Sequence, residues 1–470
     1  MKVQRVTPAS SGSANAKMTR RSLLRAGAAA LGTSTLSYGR IIGANERILL
    51  GHVGMGNRGR ELASIAGGLK ASHNVELAAV CDLWKVNRER AQSAARQEYG
   101  RPPRAFVYIE DLLAMKEVDA VILSTADFQH APMLRMTAEA GKDAYCEKPM
   151  ANVLEEAKAA RDAVRSRGLV AQIGTQHRSE RHQIAVKEWI SRGVLGHVTK
   201  VEVVWNYHGP RWRGRPEVKQ IREEDTDWRK WLMGKPDRPF DPRLYFEFRL
   251  YREFSSGIPD QWMVHAIDLA HYFLDTGPPQ SVVAHGGVYA WRDGRENPDT
   301  FQALLEYPEG FLVSYSTSFG NDSDSSTRIM GDKGTLINMG GEGSQRWKLV
   351  EEKGTHESNP FVRRSEKYVK AGNSDTPLTR RILGRAIEKT YGPLPFTSDK
   401  NESHMKNWFA CVRSRRQPNV TVEAGFAQSV AVIMAARAQA EGKKLYWDAE
   451  TEQILDHWAD WPKGDRGGNY

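Results

Sequence analysis

Cysteine is scarce in this chain, and long apolar runs are missing from it. Three cysteines, Cys81, Cys146 and Cys411, are spread over 470 residues, too few and too scattered for a disulfide framework or a zinc ligand set, so no metal site is expected. Cys81 and Cys146 fall in apolar, strand-like runs, where a thiol packs as a small hydrophobe. No stretch offers 18 consecutive apolar residues, which excludes a stable helical membrane span. Acid is missing from residues 1–45, which hold Lys2, Arg5, Lys17, Arg20, Arg21, Arg25 and Arg40. Setting those seven charges against the formal net charge of +10 leaves +3 for the rest. That is too little for the basic surface that nucleic-acid binding requires, so no nucleic-acid partner is expected.

What remains is ordinary globular material. With 40 % apolar and 26 % charged residues, the chain has neither the low hydrophobicity of disorder nor the excess of a membrane bundle. Its length allows two or roughly three domains. The acid-free start reads as a twin-arginine export signal: Thr19-Arg20-Arg21-Ser22-Leu23-Leu24-Arg25 leads into an Ala/Gly/Leu-rich stretch ending near Tyr38. Ser37 and Gly39 are small enough for cleavage after Gly39. The expected location is periplasmic or otherwise extracytoplasmic. Twin-arginine export carries proteins that fold before crossing, often around a cofactor.

From Ile48 a short apolar strand runs into Gly54-Met55-Gly56-Asn57-Arg58-Gly59, which opens a helix toward Leu69. This is G-x-G-x-x-G between a strand and a helix. The first glycine permits the tight turn, the second lets the backbone approach a pyrophosphate, and the third allows close helix-on-strand packing. A second apolar strand, Val75 to Cys81, ends in Asp82, 23 residues beyond Gly59, near where a ribose-binding acid belongs. Together these predict a dinucleotide site. Asp82 favours NAD over NADP, because a carboxylate repels a 2′-phosphate, while Lys85 and Arg88 nearby act against that preference.

The alternation continues with strands at 105–109, 119–124, 143–147 and 169–174 and helices at 110–116, 130–140 and 152–167. It predicts an α/β fold with a doubly wound parallel sheet of Rossmann type over residues 46–174. Ligands bind such sheets at the carboxyl ends of the strands, which is where Thr125, Asp127, His130, Glu147 and Lys148 fall. After Gly174, strand-like runs at 198–207, 281–289, 300–307 and 311–319 predict an α+β domain with an open-faced, mostly antiparallel sheet over 175–400. A polar insertion is expected at about 340–400, with closing helices in 401–470. Residues 205–262 hold five tryptophans interleaved with arginines, a mixture that suits the apolar faces and hydroxyl rims of sugars. For any single tryptophan, core packing and loop anchoring are the plainer reading.

The combination Gly54-x-Gly56-x-x-Gly59, Asp82, Thr125-Ala126-Asp127-Phe128-Gln129-His130, Glu147-Lys148-Pro149 and His265-Ala266-Ile267-Asp268 resembles the Gfo/Idh/MocA family of sugar and polyol oxidoreductases, from about residue 47 to the C-terminus. The resemblance implies that Lys148 lies between nicotinamide and substrate, where a cation stabilises a developing alkoxide. It also implies a proton-handling role for His265, whose ordinary pKa suits that task, with Asp268 orienting its ring. His177, Arg178 and Tyr207 are candidate substrate contacts, and self-association is expected.

The family's second cluster reads D-x-x-x-H-x-x-D, and here this chain departs from it. Gln261 stands four residues before His265, and Asp260 stands five before. On an α-helix Gln261, His265, Asp268 and Tyr272 share a face, while Asp260 is rotated by about 100°. Asp260 is therefore either a catalytic substitute through altered geometry or an N-cap, and Gln261 is a candidate substrate contact. The resemblance supports an NAD-dependent oxidoreductase acting on a carbohydrate. An alternative from the same resemblance is a glycosidase that oxidises, eliminates, hydrates and reduces with a tightly held NAD. A sugar sensor that keeps the fold but not the chemistry is a third reading.

Overall fold

Between Ile48 and Ile173, short β-rich runs alternate with helices, and each run becomes a strand. The structure, a computed structural model, describes residues 47–323, 325–339, 347–352 and 403–457. The twin-arginine segment and most of the polar stretch at 340–400 lie outside them. Strands β1 (Ile48–Val53), β2 (Val75–Cys81), β3 (Arg104–Phe106), β4 (Ala120–Leu123), β5 (Asp143–Cys146) and β6 (Ala171–Ile173) form one sheet. All neighbours in it are parallel, in the order β3-β2-β1-β4-β5-β6. This is the expected doubly wound sheet, and β4 and β5 are buried along their whole length because both faces are covered. Helices α1 (Asn57–Gly68), α2 (Lys85–Tyr99), α3 (Ile109–Leu113), α4 (His130–Glu139) and α5 (Leu154–Ser166) make the crossovers. The expected strand at 105–109 is shorter in fact. It ends at Phe106 because Tyr108 is already the N-cap of α3.

Helix α6 (Arg181–Ser191) leads into β7 (Val198–Val204), which was expected to run on to Tyr207. It breaks at Trp205 and Asn206, where the Asn206 side chain replaces ladder bonds: its Oδ1 accepts from Ser318 N at 2.9 Å and its Nδ2 donates to Ser323 O at 2.7 Å. Tyr207–His208 becomes β8, and the chain then runs irregularly through α7 (Trp228–Leu232) and α8 (Pro242–Glu247) to α9 (Val264–Leu274). Strands β9 (Ser281–Gly287), β10 (Thr300–Tyr307) and β11 (Phe311–Ser318) follow, then β12 (Gly320–Asn321), which pairs with β8. The remaining elements are β13 (Ser326–Gly331), β14 (Gly334–Met339), β15 (Trp347–Glu351), α10 (His404–Ser414), α11 (Val422–Glu441), β16 (Leu445–Asp448) and β17 (Gln453–Leu455).

Nine of these strands form a second sheet, β15-β14-β13-β7-β11-β10-β9-β16-β17, in which only β7 and β11 pair in parallel. Along β11, Phe311, Val313, Tyr315 and Thr317 point into the core while Leu312 is exposed, the alternation of a sheet covered on one side.

Two packing arrangements position the site. Helix α11, N-capped by Thr421, lies against both sheets' helices and strands. At Gly425 a Cβ would come within 2.6 Å of Ile173. A buried aromatic cluster also fixes the irregular segment 221–254 on the strand ends of the first sheet, with Trp228, Trp231, Tyr245 and Phe254 set against Trp84 and Phe128. The three cysteines are buried free thiols, and no helix among the described residues is long and apolar enough to cross a membrane.

Candidate active site

A cleft of about 1060 Å³ opens at the carboxyl ends of β1, β2 and β4, between the glycine turn and the segment 207–249. The three glycines of the turn answer to three different demands. Gly54 has φ +86°, and a Cβ there would lie 2.7 Å from the Ser124 carbonyl oxygen. At Gly59 it would lie 1.9 Å from the Gly54 carbonyl oxygen. At Gly56 it would meet no atom within 4 Å, and since Gly56 lines the cleft it would fill the space a pyrophosphate takes. No side chain caps the N-terminus of α1, whose N–H groups therefore suit an anion.

Asp82 closes the second strand as expected. Its Oδ2 accepts from Met55 N at 2.6 Å and Asn87 Nδ2 at 3.0 Å, and its Oδ1 accepts from Trp84 N at 2.9 Å. Burial raises its pKa against the pull of those bonds. Arg88 donates to the carbonyls of Asp82 and Leu83 at 2.6 and 2.9 Å, and Lys85 faces Glu89. Both cations are thus engaged, which leaves the preference of Asp82 for an unphosphorylated ribose in place. The turn, the helix end and the acid fit NAD.

The other expected cofactor contacts divide. Asn57 and Thr125 line the cleft beside the turn. Arg58, also on the wall, is drawn back to Glu147, its Nε donating to Oε1 at 2.7 Å, and to Glu61. Asp127, His130 and Glu147 are buried supports rather than cleft-facing groups, because each is taken up by protein partners. His130 Nδ1 lies 2.7 Å from Pro149 O, so its ring holds the Glu147-Lys148-Pro149 turn, whose Lys148–Pro149 peptide is cis.

Lys148 Nζ donates to Gln261 O at 2.9 Å and to Gln261 Oε1 at 3.1 Å. Gln261 Nε2 in turn donates to Asp127 Oδ2 at 2.6 Å, which also accepts from Ser255 Oγ at 2.6 Å. That hydroxyl lies 3.4 Å from Asp260 Oδ2. Three segments distant in sequence, at Asp127, at Lys148 and at Ser255 to Gln261, thus join in one network that ends on the lysine.

The start of α9 corrects the α-helical expectation. Pro259–Met263 is a π-turn in which Val264 N reaches back five residues to Pro259 O, a local widening that recurs at functional sites. Ile258, not Asp260, is the N-cap. Asp260 lies inside the turn and its carboxylate reaches back to Ser256 N at 2.7 Å. Gln261 faces the cofactor cleft, whereas Asp260 borders a second cavity beside Asn152 and Asn297. Burial, and then the neighbouring Asp127 carboxylate, push the Asp260 carboxyl up to about 7.

His265 is held neutral. Burial, reinforced by Lys148, His177 and Arg58, sets its pKa well below the ordinary value. The His177 ring meets it edge-on with centroids 4.9 Å apart, and His177 Nδ1 lies 2.6 Å from Glu180 Oε1. Asp268 and Arg178 depart from their expected roles, since Arg178 Nε donates to both Asp268 oxygens at 2.9 Å. With Asp268 wholly buried, that pair is a structural tie rather than an acid beside His265 and a substrate ligand. Tyr207 lies on the cleft wall with its ring edge-on to Trp262, which stacks on Trp205 with centroids 4.4 Å apart. Trp228 and Trp231 belong to the buried cluster, and Trp231 also borders the cleft.

Comparison with known proteins agrees with this geometry. Residues 48–175 match the Gfo/Idh/MocA description "Oxidoreductase family, NAD-binding Rossmann fold", and residues 235–447 match "Oxidoreductase family, C-terminal alpha/beta domain". The chain belongs to the Gfo/Idh/MocA oxidoreductase family. Among curated relatives, a Glycosyl hydrolase family 109 protein of Shewanella baltica is 27 % identical over 196 residues, 40 % of each chain. The match thus spans well under half of that relative. Among solved structures, the WlbA dehydrogenase from Bordetella pertussis in complex with NADH and UDP-GlcNAcA superposes with a TM-score of 0.59 at 22 % identity, covering 86 % of this chain and 99 % of that one. Levoglucosan dehydrogenase in complex with NADH and levoglucosan gives 0.56 at 16 % identity, covering 85 % and 99 %. At these identities the superpositions establish the fold.

This family member also uses residues that no motif marks. Asn87, in the first turn of α2, braces Asp82. Ser124 donates to Gly54 O at 2.7 Å, and Ser255 joins Asp127 to Asp260. Asn87 lies at a fixed short offset from Asp82, which is a usable signal. The bonds from Ser124 to Gly54 and from Ser255 to Asp127 have none, because those partners are distant in sequence.

Proposed function

We propose that this chain is an NAD-dependent oxidoreductase that removes hydride from a carbinol carbon of a sugar, polyol or sugar derivative. The observation that carries this reading is Lys148, its ammonium held by Gln261, a residue of the cleft wall, and acting on a neutral His265. Gly54–Gly59 and the N-terminus of α1 would hold the pyrophosphate and Asp82 a ribose. NAD, when bound, supplies the hydride acceptor. Lys148 donates a hydrogen bond to the reacting hydroxyl and stabilises alkoxide charge as it develops. His265, being neutral, is able to accept the hydroxyl proton. Tyr207, exposed on the cleft wall, offers its ring to the apolar side of a sugar.

The superposed WlbA and levoglucosan dehydrogenases, in complex with NADH and with UDP-GlcNAcA or levoglucosan, support this substrate class. The Glycosyl hydrolase family 109 relative favours a second reading, a redox-neutral glycosidase that recycles a tightly held NAD. One experiment separates the two. Purified protein is incubated with free sugars and aryl glycosides while reduced-nicotinamide absorbance and released aglycone are followed together. Absorbance rising with added NAD supports the dehydrogenase. Aglycone released without added NAD and without net reduction supports the glycosidase. Neither signal across the panel sinks both.

Two further properties belong to this proposal. The Thr19–Arg25 segment and the apolar stretch behind it support twin-arginine export to an extracytoplasmic compartment, where a retained cofactor is an advantage. The open face of the second sheet, with Val283, Leu304, Leu312 and Val350 exposed, supports a homo-oligomer formed across it.

A further inference from the structure

The walls of the cofactor cleft carry eight Arg or Lys side chains against four carboxylates. Beside the nucleoside end that charge is paired: Arg229 with Asp237 at 3.1 Å and Lys230 with Glu110 at 3.0 Å. Arg58 pairs with Glu147 and Glu61, and Arg213 with Glu247 and Asp293. The catalytic end differs. Among the described residues no carboxylate lies within ion-pair distance of Arg211 or Arg215.

The Arg211 guanidinium lies over the Tyr207 and Trp262 rings, 5.3 and 5.8 Å from their centroids. The Glu247 carboxylate near Arg215 is already shared by Arg213 and the N–H groups of Gly214 and Arg215. Arg249 approaches Asp127 at 3.5 Å, but that carboxylate also serves Gln261 and Ser255, and Arg249 Nε is buried with no hydrogen-bond partner. The three guanidiniums act on one another: burial, then Arg249 and also Arg211, lower the pKa of Arg215, and Glu217 and Glu247 offset this only in part. Like charges gathered in a partly desolvated wall are costly until an anion meets them.

We infer that Arg211, Arg215 and Arg249 form a subsite for an anionic group carried by the sugar substrate, a carboxylate or a phosphate, so that the enzyme selects acidic sugars over neutral ones. The inference rests on the proposed sugar oxidoreductase reading and deepens it. Planar guanidinium forks match both anions in bidentate fashion. Position favours the substrate over the cofactor as the source of the anion. Arg249 is joined to Lys148 through Asp127 and Gln261, and Arg211 lies on the aromatic platform of Tyr207 and Trp262. A pyrophosphate already has the glycine turn and the end of α1 to receive it.

The test is calorimetric titration of the full chain with glucuronate, glucose 6-phosphate and glucose, for the wild type, Arg211→Gln and Arg215→Gln. NAD affinity is measured in parallel by quenching of tryptophan fluorescence. At low salt the wild type is expected to bind one or both acidic probes at least about tenfold more tightly than glucose, and each variant to lose about that factor for the acidic probe only. Which acidic probe is preferred distinguishes carboxylate from phosphate. Equal affinity for acidic and neutral probes, or no binding of either acidic probe, overturns the inference. So does a variant that loses NAD affinity while keeping its discrimination, since the arginines would then serve the pyrophosphate. Failure of the wild type to bind NAD would instead count against the proposed function, and the sugar titrations would still read the subsite.

Discussion

Lys148 and Gln261, 113 residues apart, meet through two hydrogen bonds from one ammonium, to the Gln261 backbone oxygen at 2.9 Å and to its Oε1 at 3.1 Å. The side-chain bond depends on Gln261, but the backbone bond does not. Lys148→Ala is therefore expected to lower kcat on the order of 10²–10⁴-fold, the usual scale for a positioned proton-handling group, with NAD still bound. Gln261→Ala keeps the backbone anchor and should cost clearly less. Steady-state kinetics with fluorescence titration of NAD checks both, and a Gln261→Ala loss equal to that of Lys148→Ala would contradict this division.

The glycine turn separates binding from stability. Gly59→Ala drives a Cβ into the Gly54 carbonyl oxygen, and overpacking of this kind is expected to destabilise the fold by about 1–3 kcal/mol or more. Gly56→Ala meets open space and its φ of −67° suits alanine, so the melting temperature should hold while NAD affinity falls by about tenfold or more, as a methyl group displaces a phosphate contact. Thermal denaturation and NAD titration of the two variants test this contrast. Equal loss of stability in both would overturn it.

The contrast also indicates what could be read from the sequence. Gly54, Gly56, Gly59 and Asp82 were legible because each meets a local backbone demand within one β-α-β unit, and the parallel order of the first sheet followed from the alternation of strands and helices. The turn at Asp260 was not legible. An i→i+4 register can be read from spacing, but the turn that closes at i→i+5 holds Gln261 against Asp127 and Lys148, which only tertiary packing brings to it. The charged residues of the site posed the same difficulty: nothing in the local sequence says that Arg178 is spent on Asp268 or that Arg211 faces two aromatic rings.

Arg178 and Asp268 yield a prediction of stability rather than chemistry. The guanidinium is largely buried and the carboxylate wholly so, with side-chain exposures of 11 % and 1 %. Removing one partner strands the other charge. Arg178→Ala is expected to destabilise by about 3–5 kcal/mol, the usual scale for breaking a buried pair, and the double variant Arg178→Met/Asp268→Leu should recover much of that loss. Urea denaturation measures it. A stable Arg178→Ala protein with selectively weakened sugar binding would restore Arg178 to the substrate site.

Asp260 makes stability depend on pH in a direction that can be stated. Its folded pKa, about 7, lies above the ordinary carboxylate value of about 3.9, because burial and then Asp127 oppose its ionisation. Between those two values the folded state keeps a proton that the unfolded chain gives up. The contribution is therefore fully present below about pH 4 and is lost as pH rises through about 7. Asp260→Asn is neutral at every pH and retains an oxygen to accept from Ser256 N. The melting temperature of the variant relative to wild type should accordingly rise between pH 5 and pH 8 (about the titration window) and then level off. A difference that stays flat across that range, or one that falls, would mean that Asp260 is ionised in the folded protein.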